Sequence, residues 1–210
     1  MKEIIITISF LLSLSSSYSQ IERFTHLEGG ILTYGAATME LGLSFRGVHV
    51  WKYTGEFSAG LGVGYEKYSF NENEGGPFKA LPLFAQAKYI LRPDKSKSLY
   101  GAFDLGYGIN LNKSEESTNS KISYKGGLLA SPQIGLLWYT SKEKRSHITF
   151  SFGYKYQGFT ENRYINYTGW MFERNDFSTI KNDEILDGFD NYTKSKYHLH
   201  RLSIMLGIGF

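Results

Sequence analysis

The chain repeatedly sorts its residues by parity, and the sorting runs opposite to that of a soluble sheet. In "FSAGLGVGY" (57–65), Phe57, Ala59, Leu61, Val63 and Tyr65 share one face, with Ser58, Gly60, Gly62 and Gly64 on the other. "LYGAFDLGYGINL" (99–111) places Leu99, Phe103, Leu105, Tyr107, Ile109 and Leu111 against Tyr100, Ala102, Asp104, Gly106, Gly108 and Asn110. "ITFSFGYKYQ" (148–157) repeats the pattern, with Ile148, Phe150, Phe152, Tyr154 and Tyr156 opposite Thr149, Ser151, Gly153, Lys155 and Gln157. A soluble sandwich or lipocalin-like barrel turns a charged face to water. Here the apolar face is continuous and aromatic, and the other face mixes glycine, serine and scattered charge. Such strands suit a barrel with lipid outside and small or polar groups inside.

The remaining composition agrees. The 210 residues include 16 Tyr, 15 Phe and 23 Gly, a combination that favours bent, closely packed strands. There is no cysteine, which excludes disulfides, cysteine metal sites and an N-terminal lipidated cysteine. Lys2, the apolar run "IIITISFLLSL" (4–14) and the small residues "SSSYS" (15–19) read as a signal peptide over 1–19, cleaved after Ser19 to leave a barrel domain over 20–210. Cleavage removes one Lys and one Glu, so the net charge stays at +3 (22 minus 19), too mild to argue for nucleic acid as a partner. No apolar run reaches the length of a transmembrane helix.

Strands are expected at 25–36, 38–52, 56–70, 78–92, 98–112, 121–139, 147–160 and 197–210, about eight in all, each long enough for the nine to eleven residues of a tilted membrane strand. Their connections alternate in character. "KYTG" (52–55), "RPDKSKS" (92–98) and "TSKEKRS" (140–146) are short and basic, whereas "NENEGGP" (71–77), "NKSEESTNS" (112–120) and the segment 161–196 are longer or more acidic. Short periplasmic turns and long external loops give this order. Trp51, Tyr89, Trp138 and Tyr139 fall beside the short turns and are expected to form an aromatic girdle. Tyr65, Tyr68, Phe70, Phe78, Tyr124, Tyr154 and Tyr156 are expected to form a second girdle at the other interface.

These residues carry a family resemblance. The leader, "AGLGVGYE" (59–66), "PLFAQAKYIL" (82–91), "GAFDLGYG" (101–108) and the terminal "LSIMLGIGF" (202–210) resemble the small outer-membrane β-barrel proteins of Gram-negative bacteria, the porin-like or OmpA/OmpX-like barrel domains. The resemblance implies an all-β, transmembrane, antiparallel up-and-down barrel in the cell outer membrane. It also implies that Leu202, Ile204, Leu206, Ile208 and Phe210 form the C-terminal signal read by barrel-assembly machinery. Outer-membrane lipids are the other implied partner, and a monomer is expected. An OmpA-type peptidoglycan-binding domain after the barrel segment is not expected.

The polar residues admit several chemical readings. Glu40, Arg46, Glu56, Glu66, Gln86, Lys88, Asp104, Lys155 and Arg201 are expected on the inward face. An eight-stranded barrel is just wide enough for such side chains to fill it as a polar plug; a narrow path for ions or small solutes is the sharper alternative. "GLGVG" (60–64) fails as a dinucleotide fingerprint, because its glycines recur every second residue within a strand. They are expected to make room for large inward side chains. His198 and His200 share an outward face but have no evident third ligand, so no metal or cofactor is assigned. A lipid A-modifying enzyme needs a histidine within hydrogen-bond reach of a serine, and His200 and Ser203 have opposite parity. The expectation is therefore not an enzyme. It is a structural or adhesive barrel whose loop 161–196 meets an extracellular protein partner through Tyr164, Tyr167, Trp170 and Phe172.

Overall fold

The computed structural model describes residues 22–33, 41–68, 78–117, 119–140, 146–166 and 191–210. The leader and its cleavage point therefore lie outside the described residues, as do Glu40, Phe70, Tyr167, Trp170 and Phe172. Ten strands follow in order: β1 (Glu22–Thr33), β2 (Leu41–Lys52), β3 (Phe57–Tyr68), β4 (Phe78–Ile90), β5 (Lys97–Asn110), β6 (Glu115–Ser117), β7 (Ser120–Lys125), β8 (Gly127–Tyr139), β9 (His147–Ile165) and β10 (Asn191–Gly209). Eight of them close a ring, β1–β2–β3–β4–β5–β8–β9–β10, and every neighbouring pair is antiparallel. The final residue seals the seam: Thr25 N donates to Phe210 O at 2.8 Å, and Phe210 N donates to Thr25 O at 3.0 Å. Closure leaves the ring without an edge, which is what a sheet in hydrocarbon requires.

The eight ring strands match the eight expected ones, with two revisions. The expected strand 121–139 is two strands, broken at Gly126. β8 belongs to the ring, whereas β7 pairs with the far end of β9 and carries β6 on its other side. The expected loop 161–196 is also shorter than its bounds. Its flanks, Glu161–Ile165 and Asn191–Lys196, extend β9 and β10 as a paired ladder running through Asn191↔Ile165. At 19 residues each, β9 and β10 are far longer than a bilayer crossing needs. Together with β6 and β7 they build a four-stranded sheet past the ring.

Inside the ring the inward side chains form three apolar clusters. At the loop end lie Leu32, Tyr68, Phe78, Ala80, Phe159 and Leu199. Val48, Val50, Phe84 and Leu129 form a second group, and Ile90, Tyr100, Ala102 and Leu137 close the turn end. Glycines face the bulkiest of these residues across the ladder. A Cβ on Gly62 would come within 2.4 Å of the Phe84 ring, and one on Gly135 within 2.6 Å of the Tyr100 ring. Gly62 pairs with Phe84 and Gly135 with Tyr100, so the alternate glycines admit large rings into a narrow lumen.

Candidate functional site

Polar residues are buried between the apolar clusters, and their centre is Arg46. From β2 its guanidinium reaches three other strands. Nε donates to Glu28 Oε2 on β1, Nη1 to Asp104 Oδ2 on β5 at 2.5 Å, and Nη2 to Gln133 Oε1 on β8 at 2.8 Å. Asp104 also accepts from Gln86 Nε2 at 2.8 Å and from Gln133 Nε2 at 2.6 Å. A planar fork with several donors is well suited to tie carboxylates on separate strands together.

A second cluster lies toward the loops. Glu66 accepts from Lys155 Nζ, from Ser44 Oγ at 3.1 Å and from Tyr68 OH at 2.5 Å. A third lies toward the turns. Lys88 Nζ stands 3.4 Å from His26 Nδ1 and 4.7 Å from the centre of the Tyr100 ring, and His26 Nε2 lies 2.9 Å from Thr149 Oγ1. Buried charges persist where they are paired and hydrogen-bonded. Arg46 and Lys155 meet carboxylates, whereas Lys88 is held by the His26 imidazole and the face of the Tyr100 ring. At the turn-end mouth a recess of about 320 Å³, lined partly by Phe24, Lys52 and Glu56, is floored by Lys88, Ile90 and Leu137.

The predicted inward residues divide accordingly. Arg46, Glu66, Gln86, Lys88, Asp104 and Lys155 are buried in these clusters. Arg201 is buried too, with Nη1 donating to the His200 carbonyl at 3.1 Å. Glu56 is a correction. It is exposed in the turn before β3 and accepts from Tyr89 OH at 2.8 Å, because parity has no meaning until the strand begins at Phe57. Sequence reasoning missed Glu28, His26, Gln133, Ser44 and Tyr68. The signal was present for Glu28, which alternates with Phe24, His26, Gly30 and Leu32.

Aromatic positions also need revision. Tyr89 is exposed beside the turns, and Trp51 and Trp138 are half-buried there on outward parity. Tyr139 turns inward, packs against the Ile90–Tyr100 cluster and meets the His147 ring at 6.0 Å; as the neighbour of Trp138 it cannot share that face. At the loop end Tyr65 and Tyr154 are exposed, but Tyr68 and Phe78 are core residues of the lumen. Tyr164 belongs to β9 and stacks on Tyr192 of β10 with ring centres 4.9 Å apart. His200 is exposed and Ser203 buried, on opposite faces of a continuous ladder.

The outer wall is the reverse of the lumen. Its exposed residues include Leu43, Phe45, Leu61, Leu105, Ile134 and Leu206, with Ile134 68% exposed at the middle of β8. An apolar surface that encircles the molecule has no counterpart in a soluble monomer. It is the surface a bilayer requires.

No family model matches the chain, and no curated protein does. Solved structures do match its fold. The outer membrane protein OprG from Pseudomonas aeruginosa is similar at a TM-score of 0.55 and 11% identity, over 90% of this chain and 95% of that one. The outer membrane protein AlkL, determined by solid-state NMR in DMPC lipid bilayers, is similar at a TM-score of 0.53 and 12% identity, over 92% of this chain and 90% of that one. The chain has the fold of the small outer-membrane barrels. Bilayer-spanning barrels of this kind belong to outer membranes, and the apolar wall shows where the barrel meets its lipid. The residues expected as a C-terminal signal lie on that wall: Leu206, Ile208 and Phe210 are exposed, and Leu202 and Ile204 half-buried.

Proposed function

We propose that this chain is a non-conducting, non-enzymatic outer-membrane barrel that carries a β-sheet platform outside the membrane for contact with an extracellular partner. The observation that carries this reading is the continuation of β9 and β10 past the ring, joined there by β6 and β7. With the short turns on the periplasmic side, the platform stands on the external side. Tyr164 and Tyr192 stack within it, and Tyr192 OH donates to Asn162 Oδ1 at 3.0 Å, so the root of the last loop is held by side chains as well as by the ladder.

A polar lumen also supports the alternative of a narrow pore, and conductance separates the two. Purified protein in planar bilayers is expected to show no stable open-channel steps, because Arg46 and its partners cross the lumen. Regular single-channel openings would replace the scaffold reading with a pore. Partner contact is tested by replacing residues 167–190 with a short Gly-Ser turn. The expected result is an intact barrel by heat-modifiable gel mobility and loss of binding to whole cells or extracellular matrix proteins. Unchanged binding after the replacement would remove the loop from the reading.

A further inference from the structure

The outward face of β10 changes chemistry along its length. From Leu202 to Phe210 its alternate residues are apolar, and the four preceding positions on the same face are Lys194, Lys196, His198 and His200, all exposed. At about 3.3 Å per residue this basic row spans about 20 Å, from His200 next to the apolar wall up to Lys194. The register sets hydroxyls beside it: Thr160 pairs with Lys196, Gly158 with His198 and Tyr156 with His200. Tyr156 OH lies 2.6 Å from His198 Nδ1, and Tyr154 OH is hydrogen-bonded to His200 Nδ1. These contacts orient both imidazoles, and both residues remain exposed. β7 adds to the same face, since Lys125 pairs with Thr160. Among the described residues no carboxylate pairs with Lys125, Lys194 or Lys196, whereas Lys121, on the same face of β7, is held by Glu116 at 3.2 Å.

We propose that this face of β7, β9 and β10 seats the phosphate-bearing headgroup of a membrane lipid in the leaflet at the loop end. The inference goes beyond the platform reading and rests on the placement of the apolar wall in lipid. Any acyl chain lying along Leu202 to Phe210 carries its headgroup to the level of His200 and above. A phosphate there meets ammonium groups, imidazole and hydroxyl donors in sequence, with Gly158 leaving the sheet bare between Tyr156 and Thr160. Basic residues beside a membrane recognise anionic headgroups through this combination of charge and position. The layout fits a lipid better than a soluble acidic protein, because the row continues directly from the lipid-facing wall.

The test is native mass spectrometry of the folded protein in neutral detergent, titrated with bisphosphorylated lipid A, with the same lipid stripped of phosphate, and with inorganic phosphate. The phosphorylated lipid is expected to bind, the stripped lipid to bind weakly, and inorganic phosphate not to compete. At about fivefold per lysine, the triple variant Lys125→Gln, Lys194→Gln, Lys196→Gln is expected to lose about a hundredfold in affinity for the phosphorylated lipid. Its binding of the stripped lipid stays unchanged, and the corresponding Lys→Arg triple variant retains wild-type affinity. Changing Lys95 and Lys97 at the turn end to Gln leaves binding intact. Heat-modifiable mobility establishes folding of each variant. Equal binding of the stripped lipid, an unaffected Gln triple variant, or the same loss in the turn-end control overturns the proposal. Competition by inorganic phosphate would reduce the face to a free-anion site, and stronger competition by polyglutamate would assign it to an acidic protein surface.

Discussion

Replacing Arg46 by methionine is expected to cost about 3–5 kcal/mol of stability, because it leaves two carboxylates buried without their cation. Glu28 and Asp104 each have side chains no more than 1% exposed, and both bond to this one guanidinium. Arg46→Lys should recover only part of the loss. An ammonium can sit between the acids, but it cannot repeat the three-strand reach to Glu28, Asp104 and Gln133. The variant that removes all three charges, Arg46→Met with Glu28→Gln and Asp104→Asn, should be markedly more stable than Arg46→Met alone. What harms the barrel is the uncompensated acid, more than the lost contact. Urea unfolding in phospholipid vesicles, followed by gel mobility, measures each step. A cost below about 1 kcal/mol for Arg46→Met would mean that water reaches this level of the lumen and solvates the acids. That outcome would also weaken the non-conducting reading.

How much of this was legible in the sequence depended on what each strand face meets. Where one face meets lipid and the other the lumen, alternation is sharp. Arg46, Gln86, Asp104 and Lys155 were placed inward by parity alone, and the structure buries them together. The rule failed at strand ends. Glu56 sits one residue before β3, where the chain still follows turn geometry, and Tyr139 was grouped with Trp138 although adjacent residues face opposite ways. Glu28 was overlooked in a strand whose outward face, with Thr25, Leu27 and Gly29, is less apolar than the others.

The platform was hidden for a different reason. Past the hydrocarbon layer neither face of β9 and β10 meets acyl chains, so no lipid-against-lumen difference marks the strand. "ENRYI" (161–165) and "NYTKSK" (191–196) are polar on both parities and read as loop. Only the ladder Asn191↔Ile165 to Lys196↔Thr160 reveals them. The division of 121–139 did carry a signal, the Gly126–Gly127 pair, where a strand is most easily interrupted. There the chain turns from pairing with β6 and β9 to pairing with β5 and β9.

The lipid-facing wall makes the second large prediction, one in which the usual effect of a surface charge is reversed. In a soluble protein, changing an exposed isoleucine to arginine is close to neutral. Ile134 is 68% exposed, yet Ile134→Arg is expected to destabilise the folded barrel by about 2–4 kcal/mol in phospholipid vesicles, the cost of a cation near the bilayer midplane. Its ladder neighbours are Gly101 on β5 and Phe152 on β9, so no carboxylate stands beside it to receive the charge. Depth provides the control. Leu128 is also exposed on β8, the second residue from its loop-end start and at the level of Gly158, and Leu128→Arg is expected to cost no more than about 1 kcal/mol because the side chain reaches the headgroups. Equal costs at the two positions would mean that the wall does not lie across a hydrocarbon layer as its residues indicate. A steep difference would locate the midplane near the centre of β8 and set the basic row of β10 at the leaflet surface, the height at which a lipid phosphate would meet it.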